Sequence, residues 1–340
     1  MDYTELANVA AAMVAAGKGL LAIDESTGTC CKRFAAAGVE CTEETRRAYR
    51  DMLLTTPGLA EHVSGVILYD ETIRQSTANG RSFVEYLDEV GILPGIKVDT
   101  GAKPLALHDG EKVTEGLDGL RDRLAEYRDL GARFAKWRAV ITIGDGLPSA
   151  ACIEANAHAL ARYAALCQEA GIVPVVEPEV LMDGDHALDE CFAVTADTLH
   201  ALFGQLYTQD VVLEGAVLKA SMVVSGADAK GRADIDDVAA ATVQCLLDTV
   251  PASLGGVVFL SGGQSEVEAT AHLDAMNRFG ETPWPLSFSY GRALQAPALA
   301  AWSDNPAKNV SIAQRRLLHR ARMNGLAALG EWAQTMESDD

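Results

Sequence analysis

The stretch Val211-Val-Leu-Glu-Gly-Ala-Val-Leu-Lys-Ala-Ser221 is a nearly uncharged run with a lysine, Lys219, near its end. Continuous apolar runs of this kind are typical of buried strands in parallel sheets. Desolvation at the end of such a strand favours the neutral form of an amine. A neutral amine can attack a carbonyl carbon and form an imine, so Lys219 is a candidate nucleophile. For this segment alone, a lysine that is ion-paired or extends to solvent is the alternative.

Seven more segments have the length and composition of strands, and helix-like segments lie between most of them. The predicted strands cover residues 20–25, 63–70, 94–99, 134–142, 173–180, 211–221, 256–262 and 286–290. The predicted helices cover residues 42–54, 149–170, 195–206, 234–249 and 264–278, with a last helix over 306–332. This alternation predicts an α/β protein, a single-domain (β/α)8 TIM barrel with parallel strands.

The chain shows no composition break or linker, so we expect one domain over residues 1–340 with a short acidic tail from about residue 334 to 340. A doubly wound sheet is the alternative architecture. It is disfavoured because the Gly-x-Gly-x-x-Gly pattern of a dinucleotide-binding turn is missing after the first predicted strand.

Net charge restricts the partners of this chain. The formal charge is −20, with 28 Lys and Arg against 48 Asp and Glu, which argues against nucleic acid and anionic lipid as partners. No apolar run of about 18 residues predicts a membrane span, and the acidic N-terminus does not resemble a signal peptide, so we expect a cytoplasmic protein. An anionic ligand would require the scarce cations to gather at its site.

Cysteine and histidine spacing indicates neither a disulfide framework nor a metal site. The seven cysteines include the adjacent pair Cys30 and Cys31 but no CxxC, which favours reduced thiols. The seven histidines form no HxH or HxxxH pair, so we expect no metal and no other cofactor. Metal ligands that lie far apart in sequence remain an open alternative.

Charged residues recur at the predicted carboxyl ends of strands, where barrel enzymes carry their active sites. Asp24 closes the first strand, although an Asp there is also typical of a loop cap. Lys136 and Arg138 share one face of the fourth strand, and Glu177 and Glu179 share one face of the fifth. A carboxylate pair is compatible with metal binding or glycoside hydrolysis. Because both carboxylates lie on one strand, ion pairing with the neighbouring cations is the more economical role.

Two adjacent strands end in segments suited to anion binding. Residues 261–264, Ser-Gly-Gly-Gln, end the seventh strand and open a helix, which leaves backbone N–H groups free. Gly291 and Arg292 follow the eighth strand, and the arginine adds a charged donor. Loops after strands seven and eight form the recurrent phosphate site of (β/α)8 barrels, so we expect a phosphate there.

The chain resembles class I fructose-1,6-bisphosphate aldolase from about residue 5 to about residue 333. The resemblance is specific because several motifs occur in the same order across all eight strands. The motifs are Ala22-Ile-Asp-Glu-Ser-Thr-Gly, Gly95-Ile-Lys-Val-Asp-Thr-Gly, Phe134-Ala-Lys-Trp-Arg, Pro174-Val-Val-Glu-Pro-Glu-Val-Leu-Met-Asp-Gly-Asp-His, Leu213-Glu-Gly-Ala-Val-Leu-Lys, Phe259-Leu-Ser-Gly-Gly-Gln-Ser and Ser287-Phe-Ser-Tyr-Gly-Arg-Ala-Leu-Gln.

This resemblance implies a role for each catalytic candidate. Lys219 forms the Schiff base with the C2 carbonyl of the ketose, and Asp24 lies beside the C4 hydroxyl. Glu177 is the general acid and base. Lys136 is the neighbouring cation that favours neutral Lys219, with Glu179 as a supporting partner.

The resemblance also implies two groups of phosphate-binding residues. Those near the C1 phosphate are Ser261, Gly262, Gly291 and Arg292, in a segment that also contains Gly263. Those near the C6 phosphate are Ser26, Thr29 and Lys97, with Lys32, Arg33 and Arg138 lining the same region.

The implied reaction is the reversible cleavage of fructose 1,6-bisphosphate to dihydroxyacetone phosphate and glyceraldehyde 3-phosphate, in glycolysis and gluconeogenesis. One alternative is a class I aldolase that prefers sedoheptulose 1,7-bisphosphate or fructose 1-phosphate. A metal-dependent enzyme built on Glu177 and Glu179 is a second, and an inactive scaffold, which needs no imine-forming amine, a third. The implied partners are small-molecule sugar phosphates and, by family analogy, identical subunits in a homotetramer.

Overall fold

The computed structural model describes residues 3–338 of the chain. Eight parallel strands, which we number β1 to β8, close into a barrel in the order β1-β8-β7-β6-β5-β4-β3-β2. Their bounds are Gly19–Ala22, Val63–Leu68, Leu93–Lys97, Phe134–Ile141, Val173–Val180, Val217–Ala220, Gly256–Phe259 and Leu286–Tyr290. The ring closes where Leu20 of β1 pairs with Ser289 of β8. The predicted single-domain (β/α)8 barrel is confirmed.

Helices surround this barrel. Numbered α1 to α12, they span Tyr3–Met13, Thr27–Ala36, Glu43–Leu54, Asp70–Ile73, Phe83–Val90, Leu120–Asp129, Ala150–Glu169, Leu188–Thr208, Ile235–Thr249, Glu266–Phe279, Arg292–Ser303 and Val310–Ala327. Short 3-10 helices occur at Leu59–Glu61, Leu213–Gly215 and Gln334–Ser338, and an antiparallel hairpin, Gly101–Pro104 with Lys112–Glu115, lies between β3 and β4. Among the helices that the structure describes, none has the length and apolar character needed to cross a bilayer.

The barrel interior changes from apolar to charged along the strands. Phe134 of β4 and Val217 of β6 are fully buried in the apolar cluster that fills the amino-terminal half. Two residues further along the same strands, and therefore on the same face, come Lys136 and Lys219. The sequence alternation thus places the charged side chains at the carboxyl ends of the strands, directly above a layer of apolar side chains.

A glycine on β3 makes room for this apolar layer. A Cβ atom on Gly95 would lie 2.3 Å from the ring of Phe134, well inside van der Waals contact. Any larger residue would push the ring away, so Gly95 allows Phe134 to fill the barrel beneath the charged layer.

The predicted strand over residues 211–221 is too long. Only Val217–Ala220 forms β6, while Leu213–Gly215 is a 3-10 turn. The side chain of Gln168 satisfies the backbone there, since Nε2 donates to the carbonyl of Val212 at 2.8 Å and Oε1 accepts from its N–H at 2.9 Å. Leu213 is only half-buried and Glu214 is exposed, but the run before β6 is as apolar in sequence as the strand itself, so the sequence pattern did not separate them.

The predicted last helix over residues 306–332 is also too long. Helix α12 spans only Val310–Ala327. Asn305 begins a separate turn before it, in which the backbone carbonyl of Asn305 accepts hydrogen bonds from the N–H groups of Lys308 and Asn309. In the predicted tail, Gln334–Ser338 forms a 3-10 helix that is attached through Glu337, which accepts a 2.9 Å hydrogen bond from Nε1 of Trp332. Residues 339–340 of that tail lie outside the described residues.

One pair of cysteines contradicts the expectation of reduced thiols. Cys31, in α2, forms a disulfide with Cys41, just before α3, and the two Cα atoms are 5.2 Å apart. The five remaining cysteines are free and buried. Sequence spacing gave no sign of this pair, since it depends on the turn that brings the end of α2 back beside the start of α3.

Candidate active site

A cavity of about 520 Å³ opens at the carboxyl ends of the barrel strands. It collects most of the residues that the sequence singled out. Those that line it are Asp24, Ser26, Thr29, Arg33, Lys97, Lys136, Arg138, Glu177, Glu179, Lys219, Ser261, Gly262, Gly291 and Arg292. Lys32 and Gly263 do not belong to the lining, and both are exposed.

Four side chains at the base of the cavity form a continuous chain of charges. Nζ of Lys219 lies 3.0 Å from Oε1 of Glu177. The other carboxylate oxygen of Glu177 lies 3.2 Å from Nζ of Lys136. Lys136 in turn lies 2.6 Å from Oδ2 of Asp24. The residues come from β4, β5 and β6 and from the segment after β1, so the closed barrel itself sets their separation.

Burial and charge act in opposite directions on these groups. Burial alone would raise the pKa of the Asp24 carboxyl, but the charges of Lys136 and Lys219 outweigh it and hold this pKa well below its usual range. The pKa of Glu177 is lowered for the same reasons. Burial alone would lower the pKa of Lys136, yet Asp24 and Glu177 raise it above its usual value. The site therefore holds two ionised carboxylates and a charged Lys136 at neutral pH.

A second ion pair lies further up the cavity wall. Nε of Arg138 donates to Oε2 of Glu179. Although burial opposes the charge, Glu179 raises the pKa of the Arg138 guanidinium. Glu179 is thus placed against Arg138, away from the amine of Lys219.

Asp99 is a site residue that sequence reasoning missed. Its Oδ1 lies 3.5 Å from Nζ of Lys97, and its Oδ2 accepts a hydrogen bond from the backbone N–H of Arg138 at 3.2 Å. Asp99 stands two residues after Lys97, so the spacing rule that grouped Lys136 with Arg138 would have found it.

Six further lining residues were also missed, namely Ala22, Glu25, Gly101, Ala102, Leu260 and Ser289. Glu25 accepts from Arg33, and Leu260 lies between β7 and the following turn. The hydroxyl of Ser289, in β8, is buried without a hydrogen-bond partner in the described structure. An isolated hydroxyl in an apolar strand carries no signal in the sequence alone.

The two segments predicted to bind an anion follow strands β7 and β8. Gly262 and Gly263 have φ angles of 51° and 101°, which side-chain-bearing residues rarely adopt. The N–H of Gln264 closes the turn on the carbonyl of Ser261 at 2.8 Å. Gly291 is the N-cap of α11 and provides no side-chain cap, which leaves helix N–H groups open beside Arg292.

Helix α2 provides the other end of the cavity. Ser26 caps this helix by accepting a hydrogen bond from the N–H of Thr29 at 3.4 Å. Arg33, one turn further along, is paired with Glu25. Lys32 lies on a different face of α2, which explains why it is exposed outside the cavity.

Within residues 3–338, no group of three or more His, Cys, Asp or Glu side chains is placed to hold a metal ion. The fold and the site define a class of protein, the (β/α)8-barrel enzymes whose candidate reactive group is a buried lysine amine beside anion-binding turns.

Comparison with known proteins identifies the family. A family model described as fructose-bisphosphate aldolase class-I matches residues 5–340. The chain is 62% identical over 332 residues to a probable fructose-bisphosphate aldolase class 1 of Xanthomonas campestris pv. campestris, covering 98% of this chain and 99% of that protein. It is 51% identical to the cytosolic fructose-bisphosphate aldolase 4 of Arabidopsis thaliana, covering 96% and 83%.

A solved structure gives the same result. Fructose-bisphosphate aldolase from Plasmodium falciparum, in a ternary complex with TRAP and a small-molecule inhibitor, matches with a TM-score of 0.95 at 47% identity, covering 97% of this chain and 95% of that one. The chain belongs to the class I fructose-bisphosphate aldolase family.

Proposed function

We propose that this chain is an aldehyde-lyase that reversibly cleaves fructose 1,6-bisphosphate to dihydroxyacetone phosphate and glyceraldehyde 3-phosphate through a Schiff base on Lys219. The observation that carries the proposal is the buried amine of Lys219, 3.0 Å from the Glu177 carboxylate in a cavity that is also lined by the two segments predicted to bind phosphate. Membership of the family supports the same reaction. We assign the enzyme to glycolysis and gluconeogenesis.

The first steps form the imine. Lys219 first passes a proton to Glu177, the nearest carboxylate, and the resulting neutral amine attacks the C2 carbonyl of the ketose. One proton of the attached nitrogen moves to the oxygen and gives the carbinolamine. Glu177 then returns its proton to the carbinolamine hydroxyl, which leaves as water. The protonated imine acts as an electron sink when the C3–C4 bond breaks.

Asp24 is the candidate acceptor for the C4 hydroxyl proton. Because Lys136 lowers the pKa of Asp24, this carboxylate is a weak base. Proton transfer must therefore accompany cleavage of the C3–C4 bond, when negative charge develops on the C4 oxygen, rather than precede it. The ammonium of Lys136, 2.6 Å from Asp24, is placed to stabilise that charge.

Release completes the cycle. Glyceraldehyde 3-phosphate leaves as the aldehyde, and the electron pair of the broken bond remains as an enamine on the Lys219 adduct. Protonation of the enamine at C3, for which Glu177 is the candidate donor, regenerates the imine. Water then hydrolyses the imine to dihydroxyacetone phosphate and the free amine.

Local charge supports a bisphosphate substrate. The cavity is lined by six Lys or Arg side chains and five Asp or Glu side chains. The whole chain, by contrast, has 28 Lys and Arg against 48 Asp and Glu. The site is therefore a small positive region in a strongly acidic protein, which favours an anion. We assign the C1 phosphate to Ser261, Gly262, Gly291 and Arg292. We assign the C6 phosphate to Ser26, Thr29, Lys97 and Arg33.

Borohydride reduction in the presence of fructose 1,6-bisphosphate tests the proposal. We expect a stable adduct on Lys219 by peptide mapping, and no adduct in Lys219→Met. Lys18→Met is the matched control, since Nζ of Lys18 binds the carbonyl of Ala60 outside the cavity. An adduct on another lysine, or none, contradicts the mechanism. Cleavage that survives EDTA excludes a metal-dependent reaction at Glu177 and Glu179.

Location and assembly are parts of the proposal that rest on analogy. We propose a cytoplasmic enzyme, in line with the cytosolic relative from Arabidopsis thaliana. The proposed homotetramer rests on the family alone. Light scattering at several protein concentrations tests the assembly, and cell fractionation tests the location.

A further inference from the structure

A buried polar pair lies behind the turn that follows β7. Nδ1 of His272, in α10, is 2.6 Å from Oε1 of Gln264. The two residues are 2% and 9% exposed. An amide oxygen only accepts hydrogen bonds, so His272 donates the proton on Nδ1, and this contact fixes its tautomer.

Gln264 connects two segments of the active site. Its backbone N–H closes the turn on Ser261 at 2.8 Å. Its side-chain Nε2 donates to Sδ of Met222 at 3.5 Å, and Met222 stands three residues after Lys219. Because the amide oxygen of Gln264 accepts the hydrogen bond from His272, the amide NH₂ group of Gln264 points toward Met222. The pair thereby links the anion-binding turn to the segment that carries the amine.

The Ser261–Gly263 turn has few side-chain contacts of its own. Gly262 and Gly263 have no side chains, and in the described part of the chain residues 261–263 make no side-chain hydrogen bond. Two consecutive glycines with positive φ have wide conformational freedom. The position of the turn relative to Lys219 therefore depends on the anchor at Gln264.

We infer that His272 is a positioning residue that fixes Gln264 and so holds the Ser261–Gly263 turn at the distance from Lys219 that a C1-phosphorylated ketose requires. This inference rests on the proposed function, in which the turn binds the C1 phosphate. Loss of the contact leaves the Gln264 amide free to rotate and the turn free to move. Substrate binding is then weakened, whereas the proton-handling groups on β4, β5 and β6 keep their positions.

A second position on the same helix separates positioning from general stability. Thr270 is fully buried in α10, and its hydroxyl lies 2.9 Å from Oδ1 of Asn324 and 2.8 Å from the carbonyl of Glu266. It also accepts a hydrogen bond from Nη2 of Arg320 at 2.5 Å, so these contacts join α10 to α12. Thr270→Val therefore removes buried hydrogen bonds from the same helix without removing a contact of Gln264.

The test compares four variants with the wild-type enzyme. We expect His272→Leu to raise the KM for fructose 1,6-bisphosphate roughly threefold to tenfold, with kcat changed less than about twofold, the range expected for one lost neutral hydrogen bond. His272→Asn, which keeps a side-chain donor, should restore most of the KM. Gln264→Leu should give the same KM as His272→Leu, and Thr270→Val should lower the Tm while it leaves KM unchanged.

Several results would overturn the inference. A wild-type KM in His272→Leu and Gln264→Leu would do so, as would an equal rise of KM in Thr270→Val. If His272→Leu does not fold, Gln264→Leu and His272→Asn provide the same comparison. Borohydride trapping on wild-type Lys219 is measured first. Failure there refutes the proposed function, whereas successful trapping with an unchanged KM in the variants refutes only the role of His272.

Discussion

Nζ of Lys219 lies 3.0 Å from Oε1 of Glu177, and the two side chains are only 6% and 3% exposed. At this distance one proton can pass between them without a water molecule. The amine and the carboxylate therefore act as one unit, and the chemistry of imine formation depends on both.

The first prediction concerns Glu177→Gln. We expect kcat to fall by roughly 10²- to 10⁴-fold, because the amide cannot exchange protons with the carbinolamine. Glu179→Gln is the matched control, since Glu179 pairs with Arg138 and not with Lys219. Steady-state kinetics of both variants check this. Equal losses would show that Glu177 has no special part in proton transfer.

The second prediction concerns Lys136→Met. Removal of this cation leaves the carboxylates of the half-buried Asp24 and the buried Glu177 without their shared partner, so the free energy of unfolding should drop by about 3–5 kcal/mol. Urea unfolding measures the change. Arg121→Gln, which breaks an exposed pair with Glu169, should leave the midpoint unchanged. An unaltered midpoint in Lys136→Met would mean that the buried network does not stabilise the fold.

The third prediction concerns acid stability. The pKa values of Asp24 and Glu177 are lowered in the folded chain from ordinary values of 3.8 and 4.5. A lowered folded-state pKa stabilises the protein above the unfolded-state value, and this stabilisation is lost as the pH falls through the folded-state value. Unfolding free energy should therefore decline below about pH 4.5, and less steeply in the double variant Asp24→Asn, Glu177→Gln. Urea titrations from pH 3.5 to 7 compare the two, and parallel curves would contradict the expectation.

The fourth prediction separates the two ends of the substrate. Arg292→Ala should reduce kcat/KM for both fructose 1,6-bisphosphate and fructose 1-phosphate, because both carry the C1 phosphate. The loss of transition-state stabilisation should be at least about 1.5–3 kcal/mol. Arg33→Ala should impair only the bisphosphate, since fructose 1-phosphate has no C6 phosphate. The same assays with sedoheptulose 1,7-bisphosphate establish which ketose is preferred. A reversed pattern would show that the two phosphate sites are assigned the wrong way round.

The fifth prediction concerns the Cys31–Cys41 disulfide. Denatured protein should alkylate at five of its seven cysteines without reductant and at all seven after treatment with a dithiol. Closure of the 10-residue separation should stabilise the fold by about 3 kcal/mol in the chain-entropy estimate. Urea midpoints with and without dithiol measure this, and Cys31→Ser should not respond to the reductant. Seven alkylated cysteines before reduction would exclude the bond.

Much of the site could be predicted because apolar runs mark barrel strands and charged residues stand out at their ends. Lys32 shows where this reasoning stops. The segment of α2 was not predicted as a helix, and the resemblance alone placed Lys32 and Arg33 in the same region. In a helix, consecutive residues differ in direction by about 100°. Thr29 and Arg33, four residues apart, therefore face the cavity together, whereas Lys32 does not.

Other features could not be predicted because they depend on contacts between distant segments. The Cys31–Cys41 bond needs the turn between two helices, and the contact between His272 and Gln264 needs the fold of a loop onto its following helix. Neither leaves a periodic pattern. By contrast, Asp99 could have been predicted as a site residue, since its spacing from Lys97 repeats the spacing of Lys136 and Arg138.

The pairing of Leu20 with Ser289 has a consequence for synthesis of the chain. The first strand leaves the ribosome early but meets one of its two neighbours only after nearly all of the polypeptide has been translated. Until then the nascent chain already contains Lys219, yet its sheet has two open edges that invite wrong pairing. Premature termination before residue 290 should therefore yield an unstable, aggregation-prone fragment rather than a partly active enzyme.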